Sequence, residues 1–496
     1  MESKLFNAMV KDTNHTTTEN GMSSFKSTLN SCLDLFGNVG AMRNSSEVKI
    51  TSAFDRAAAE SFDLALMIVF WARDIRGGAG EREVFRVILK HVANTYHDIY
   101  PDTWIKIIEM TVKVGRWDDV LVLLDSRNQV AKEAAVISIA AGLHDNNCNQ
   151  LCAKWMPRKG KTAAILRKEF HMTPKSYRKM LVRLSNTVET KMCANDWDNI
   201  EYGKVPSLAA ARYQRAFARH DPIGYKKYRN GLVSGTEKIN SSAVYPYDVF
   251  KSAMTMGGDA IVANAQWEAL PNYMEGSEDV RILPLVDVSG SMNAPISYKN
   301  ATVSCMSVAV SLGMYVAERN ESFFKNKFIS FSRNPELHNI VGKDIRSKIN
   351  NIVDTEWGMN TDIQKVFELI LNSALKNNLS QEDMPNIILI FSDMQFDRAD
   401  LSSRNESIYD LIDDMYENVG YERPKIVYWN LRATNDFPVE CDANGSVMVS
   451  GFSPSIMKSV LKMNLDSFSP LNMMLETVYV SRYDIKGKVT KTTLVK

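Results

Sequence analysis

The chain has 496 residues, more than one hydrophobic core usually organises, so it divides into two or three domains of roughly 100–250 residues each. Hydrophobic residues make up 45% and charged residues 24%, ordinary globular values that exclude a fibrous or wholly disordered chain. The formal net charge of +1 would exclude a nucleic-acid partner only if charge were evenly spread, and it is not.

The chain opens M-E-S-K-L-F, without a charged-then-apolar secretory pattern, and no run approaches the ~20 uninterrupted apolar residues of a membrane helix. Six cysteines (Cys32, Cys148, Cys152, Cys193, Cys305, Cys441) lack paired spacing, which suits a reducing compartment, and a cytoplasmic location is expected. Residues 1–50 read as a flexible lead-in, because the Thr-, Ser- and Asn-rich stretch 14–30 offers little apolar surface to bury.

Residues 51–233 read as a helical-repeat region. Phe62, Leu64, Ala65, Ile68 and Val69, then Val84, Val87, Ile88 and Val92, recur at helical spacing, which predicts stacked antiparallel helices. The run R-D-I-R-G-G-A-G-E-R at 73–82 breaks the first two, its glycines ending one helix before Glu81 starts the next. It lacks the Lys-Ser/Thr of a Walker loop, so nucleotide binding is not expected there. His144, Cys148 and Cys152 recur at steps of four, which puts them on one helix face; no fourth ligand completes a zinc site, and the expected role of the cysteines is packing.

From residue 151 the region turns basic. Residues 151–231 hold eighteen Lys and Arg against six acids, a net of +12 that the rest of the chain offsets. Arg158, Lys159 and Lys161 follow Trp155, and Lys175, Arg178, Lys179 and Arg183 surround Tyr177. Cations interleaved with aromatics suit phosphate contact with base stacking, and the four-residue steps Lys175, Lys179, Arg183 align on one helix face. Arg76 and Arg82 in the glycine-rich run complete the expected RNA-binding set. A solvated face, or a surface docking on acidic protein, is the alternative.

Residues 234–278 read as a linker, and residues 279–496 as an α/β domain. The runs I-L-P-L-V-D-V, K-F-I-S-F-S, N-I-I-L-I-F-S-D, K-I-V-Y-W-N-L and V-M-V-S alternate with helical segments, which predicts a doubly wound parallel sheet covered on both faces. Ligands of such sheets bind at the carboxyl ends of strands. Asp287 lies at one such end, with Ser289 and Ser291 projecting the same way around Gly290; Thr361 precedes a later helix, and Asp393 follows the strand 387–391. Five hard oxygens favour Mg²⁺, Mn²⁺ or Ca²⁺, and mostly neutral donors leave the ion seeking an acidic group from a partner. The alternative is that the hydroxyls merely cap the next helix. No general base or nucleophile lies in a ligand segment, and His338 stands apart as a surface or strand-end histidine, so no enzymatic role is expected.

Asp287, Ser289, Ser291, Thr361 and Asp393 resemble the D-x-S-x-S…T…D metal-ion-dependent adhesion site of the von Willebrand factor A family, whose domain is Rossmann-like. One departure is Met394-Gln395 after Asp393, where the family commonly has Gly. A HEAT- or TROVE-like helical region followed by such a domain resembles the Ro ribonucleoprotein autoantigen family, which implies binding of structured or misfolded small RNAs. The strings L-x-L-M-I-V-F-W-A-R-D-I-R-G-G-A-G-E-R, G-R-W-D-D-V, K-W-M-P, S-Y-R-K-M-L and W-G-M-N-T-D resemble, more closely, large-virus, plant and fungal proteins of the same architecture that carry no assigned activity. The expectation is an RNA-binding scaffold whose metal site captures an acidic protein ligand; a metal-dependent adaptor without RNA is the alternative.

Overall fold

The computed structural model describes residues 13–144, 149–241, 243–255, 258–298, 301–331, 335–353, 362–397 and 408–487. They gather into two compact units, each drawn from separated stretches. An α/β unit takes residues up to Ile68, Tyr245–Gly258 and Leu270–Tyr479; a helical unit takes Val69–Val244, Asp259–Ala269 and the chain from Val480. No described helix is long and apolar enough to cross a membrane.

The α/β unit begins with a small antiparallel hairpin, β1 (His15–Thr17) and β2 (Ser23–Phe25). Its main sheet comprises β3 (Ile282–Asp287), β4 (Lys327–Phe331), β5 (Glu336–Asn339), β6 (Ile387–Ser392), β7 (Lys425–Asn430) and β8 (Ser446–Ser450). The order is β5-β4-β3-β6-β7-β8, with every pairing parallel except β4 with β5. β3 and β6 are buried along their whole length, which is why their sequences are continuous apolar runs. Pro284 is tolerated in central β3 because pairing with β4 starts only at Leu285, so the missing N–H falls where that ladder has not begun. β5 escaped the sequence reading because it is a short, mostly exposed edge strand with no apolar run.

The chain leaves β3 for β4 and β5 on one side, then returns to β6 on the other. The strand order therefore reverses between β3 and β6, and such a reversal opens a crevice outside the carboxyl ends of the two strands.

Two expected boundaries differ. Residues 14–39 are built into the α/β unit rather than forming a lead-in: the helix Ser31–Val39 is buried on seven positions and packs on β8. Its approach is so close that a Cβ on Gly40 would lie 2.3 Å from the Ser450 carbonyl oxygen. The polar residues that suggested disorder instead bond the fold, as when the Thr28 hydroxyl donates to Asp34 at 2.6 Å. Stretch 234–278 is not a linker either. Its helix Pro246–Met254 packs on the helix Cys305–Arg319 of the α/β unit, and its helix Ala260–Glu268 joins the helical unit, where Gln266 donates to the Ser207 hydroxyl at 2.6 Å.

In the helical unit the glycine-rich run ends one helix at Arg73, and the next, Glu83–Thr95, starts two residues later than expected because the Glu81 carboxylate accepts the Glu83 N–H at 2.9 Å. Two of the resembling strings meet here. Asp119 of G-R-W-D-D-V is fully buried and accepts from Arg73 at 2.7 Å and from Arg86 at 2.7 Å, while Asp118 holds Arg86 at 2.6 Å. A Cβ on Gly115 would sit 2.6 Å from the same Asp119 carboxylate, so the glycine makes room for the network. From the C-terminal stretch, Arg482 and Tyr483 both donate to buried Asp74, Tyr483 at 3.1 Å.

Candidate metal centre and basic face

Asp287 ends β3 and is fully buried, as is Asp393, which directly follows β6. Asp287 accepts the Ser289 backbone N–H at 2.9 Å and the Ser392 hydroxyl at 2.5 Å, so both carboxylate oxygens are oriented. The Ser289 and Ser291 hydroxyls lie 3.1 Å apart, and Ser291 also hydrogen-bonds Asp393. The structure thus brings four of the five expected donors together; Thr361 lies outside the described residues. Its neighbour Asp362 caps the helix Ile363–Asn377, accepting the Lys365 N–H at 3.2 Å.

The capping alternative does not hold for these serines. The helix after the loop, Cys305–Arg319, is capped by Ser304, whose side chain accepts from Ser307, and Ser289 makes no side-chain cap bond to the short turn it precedes. The Met394 departure leaves the loop intact. Met394 adopts φ +64°, the left-handed conformation a glycine would favour, and its N–H bonds the Ser392 hydroxyl at 3.0 Å.

Burial pushes the Asp287 carboxyl up to about 6, and the nearby Asp393 charge adds to the rise. Asp393 is also raised by burial, against the pull of Ser291 and Arg432. Among the described residues the one cation in contact with either acid is Arg432, whose Nη1 lies 3.5 Å from Asp393 Oδ2. Two buried carboxylates with a single loose counter-charge and two hydroxyls beside them fit a small divalent cation with oxygen ligands. Among the described residues no three His, Cys, Asp or Glu cluster to hold a metal ion, so a cation here would depend on the serine hydroxyls beside the two carboxylates. Behind the site Cys305 is buried and pushed up to about 12, chiefly by burial, so it is a packing thiol.

Sequence reasoning missed Ser392 and Arg432. Both sit at or just past the carboxyl ends of strands neighbouring β3 or β6, the position that drew attention to Asp287, and that position was the available signal. His338 is no surface histidine: it is buried on β5, bonds the Ser330 hydroxyl at 2.7 Å, and stacks on Phe328. His144 and Cys152 do not share a helix face, because one helix ends at Gly142 and the next begins at Gln150; Cys148 lies outside the described residues.

The basic region resolves into separate roles. On the helix Pro174–Leu184, Lys175, Arg178, Lys179 and Arg183 are exposed while Tyr177, Leu181 and Leu184 are buried. The aromatic part of the expectation is corrected: Tyr177 is 0% exposed, so it belongs to the core and cannot stack on a base. Trp155 has the Arg116 guanidinium 4.4 Å from its ring centroid. Arg158 and Lys159 are exposed before the helix Gly160–Glu169, and Arg76 is exposed in the glycine-rich run. Arg82 pairs with Glu83 at 3.0 Å and Lys161 with Asp125 at 2.7 Å, so these two are partly neutralised within the unit.

Residues 18–124 and 131–278 match the family described as domain of unknown function DUF2828. The chain belongs to the DUF2828 family. Residues 282–490 match a second one, domain of unknown function DUF7788, which begins at the first residue of β3 and so includes Asp287 and Asp393. A relative in Acanthamoeba polyphaga mimivirus, named uncharacterized protein L728, is 28% identical over 512 residues, covering 93% of this chain and 86% of its own. This DUF2828 chain thus resembles a large-virus protein along nearly its whole length.

Proposed function

We propose that the chain is a non-enzymatic RNA-binding scaffold whose von Willebrand A-like domain offers a divalent-metal site to an acidic group of a protein partner. One observation carries the metal half: two fully buried carboxylates, Asp287 and Asp393, stand at neighbouring strand ends where the strand order reverses. Asp287, Ser289, Ser291 and Asp393 would hold Mg²⁺, Mn²⁺ or Ca²⁺, with Thr361 the further hydroxyl the sequence suggests. Held by two carboxylates and two neutral hydroxyls, an ion with a coordination position left open would attract a carboxylate from outside the chain. Ser392 and the Ser289 N–H fix the Asp287 oxygens, and the left-handed turn at Met394 keeps the Asp393 loop short.

The RNA half rests on the exposed row Lys175, Arg178, Lys179 and Arg183 and on the resemblance to TROVE proteins. Burial of Tyr177 favours phosphate contacts to a structured or misfolded small RNA over stacking of a single strand. The internal pairing of Arg82 and Lys161 favours the second reading, a metal-dependent adaptor without RNA, because part of the positive charge already has an acid.

Purification at low salt, followed by extraction and sequencing of bound nucleic acid, tests the scaffold. Wild type is expected to carry structured RNA, Arg178→Glu with Lys179→Glu to lose it, and Asp287→Ala to keep it. A nucleic-acid-free wild type removes the RNA half and leaves the adaptor.

A further inference from the structure

Arg432 follows β7 and extends over the Asp393 carboxylate without being built into the core. Its contact is one long Nη1–Oδ2 approach of 3.5 Å, not a two-pronged pairing, and its side chain is 41% exposed while that of Asp393 is 0% exposed. The Arg432 backbone N–H is anchored separately, donating to Asn430 Oδ1 at 2.9 Å, so the side chain can swing while the loop stays put. Asp287, by contrast, has no cation among the described residues, and both of its oxygens are held by the Ser289 N–H and the Ser392 hydroxyl.

Two buried carboxylates therefore share one loosely held guanidinium, and that guanidinium is partly exposed to solvent. A divalent cation entering among Asp287, Ser289, Ser291 and Asp393 would neutralise the pair by itself, and the guanidinium next to it would become a repulsion of like charges. We propose that Arg432 is a displaceable counter-ion of this site: it covers Asp393 in the absence of a divalent cation, competes with that cation, and swings outward when it binds. The inference rests on the metal reading above and adds a residue to it. An outward guanidinium at the mouth of the site is a second anchor for an acidic ligand, so metal loading and readiness for the ligand are coupled through one side chain.

Equilibrium Mn²⁺ binding to the full chain tests it, using wild type, Arg432→Ala, Arg432→Lys and Asp287→Ala, with circular dichroism to establish folding. Arg432→Ala is expected to bind Mn²⁺ about five-fold more tightly than wild type, the scale of a partly exposed ion pair. Arg432→Lys is expected to stay near wild type, because the competing charge is kept. A merely structural role for Arg432 would make the alanine variant bind more weakly. Phenylglyoxal labelling of wild type, read at Arg432 by mass spectrometry, is expected to quicken about three-fold with saturating Mn²⁺, since exposure governs its rate. If wild type binds Mn²⁺ through Asp287 but Arg432→Ala binds it no more tightly, or labelling does not quicken, the counter-ion proposal is overturned and the metal site stands. If folded wild type binds no Mn²⁺, both fall.

Discussion

Asp287 is pushed up to about 6 chiefly by its burial, and the charge of Asp393 at the end of the neighbouring strand raises its proton affinity further. Neither acid gains stability by being ionised where it sits. The fold keeps them together at a cost that a bound cation would offset.

The first consequence is a pH dependence with a defined sign. Asp287 goes from 3.8 in the unfolded chain to about 6 in the folded one, so between those values the native state holds more protons and stability falls as pH rises. In chelator, Asp287→Asn is expected to remove this fall and be about 2–3 kcal/mol more stable than wild type at pH 7. Asp248, also pushed up to about 6 by burial, titrates in both proteins and cancels in the difference. Paired denaturant unfolding curves at pH 4 and pH 7 check the prediction; an asparagine variant less stable than wild type at pH 7 would contradict it.

At Met394 two effects oppose each other. Replacement by glycine relieves a left-handed backbone, worth about 1–2 kcal/mol, but removes a buried methionine side chain, worth about 2–5 kcal/mol. Met394→Gly is therefore expected to lose about 1–3 kcal/mol while leaving Mn²⁺ affinity within about two-fold, because the loop conformation is unchanged. Chemical denaturation and metal titration of the same sample separate the two quantities.

Asp119→Ala strands Arg73, itself buried, and Arg86 without their shared acid. A loss of about 3–5 kcal/mol is expected, read as an earlier unfolding transition. Tyr177→Phe is expected to be neutral or slightly stabilising and to leave RNA affinity alone, because the buried Tyr177 hydroxyl has no hydrogen-bond partner among the described residues. Arg178→Glu with Lys179→Glu is expected to lower RNA affinity and flatten its salt dependence, measured by filter binding at 50 and 200 mM salt; a change with Tyr177→Phe instead would restore the stacking idea.

The parallel strands and the gathering of Asp287, Ser289, Ser291 and Asp393 at strand ends were legible in sequence because each rests on local grammar: a continuous apolar run, then polar residues at its end. Residues 14–39 were misread because their packing is set by distant partners. Asn14 bonds Glu440 at 2.8 Å and Ser24 bonds Asp436 at 3.0 Å, and composition alone carries no trace of either. β5 was invisible for lack of an apolar run, and Arg432 because its meaning depends on which strand lies beside β6. Tyr177 looked like a binding residue among cations, but the helical period that places Lys175, Lys179 and Arg183 outside also turns Tyr177 inward with Leu181 and Leu184.

The most direct test of the proposed metal site is an Mn²⁺ titration of wild type, Asp287→Ala and Asp393→Ala by isothermal calorimetry at pH 7.5. One ion bound by wild type, with binding lost in both variants while their circular dichroism stays native, is the predicted result. Binding of the same strength in Asp287→Ala, or none in folded wild type, would contradict the account.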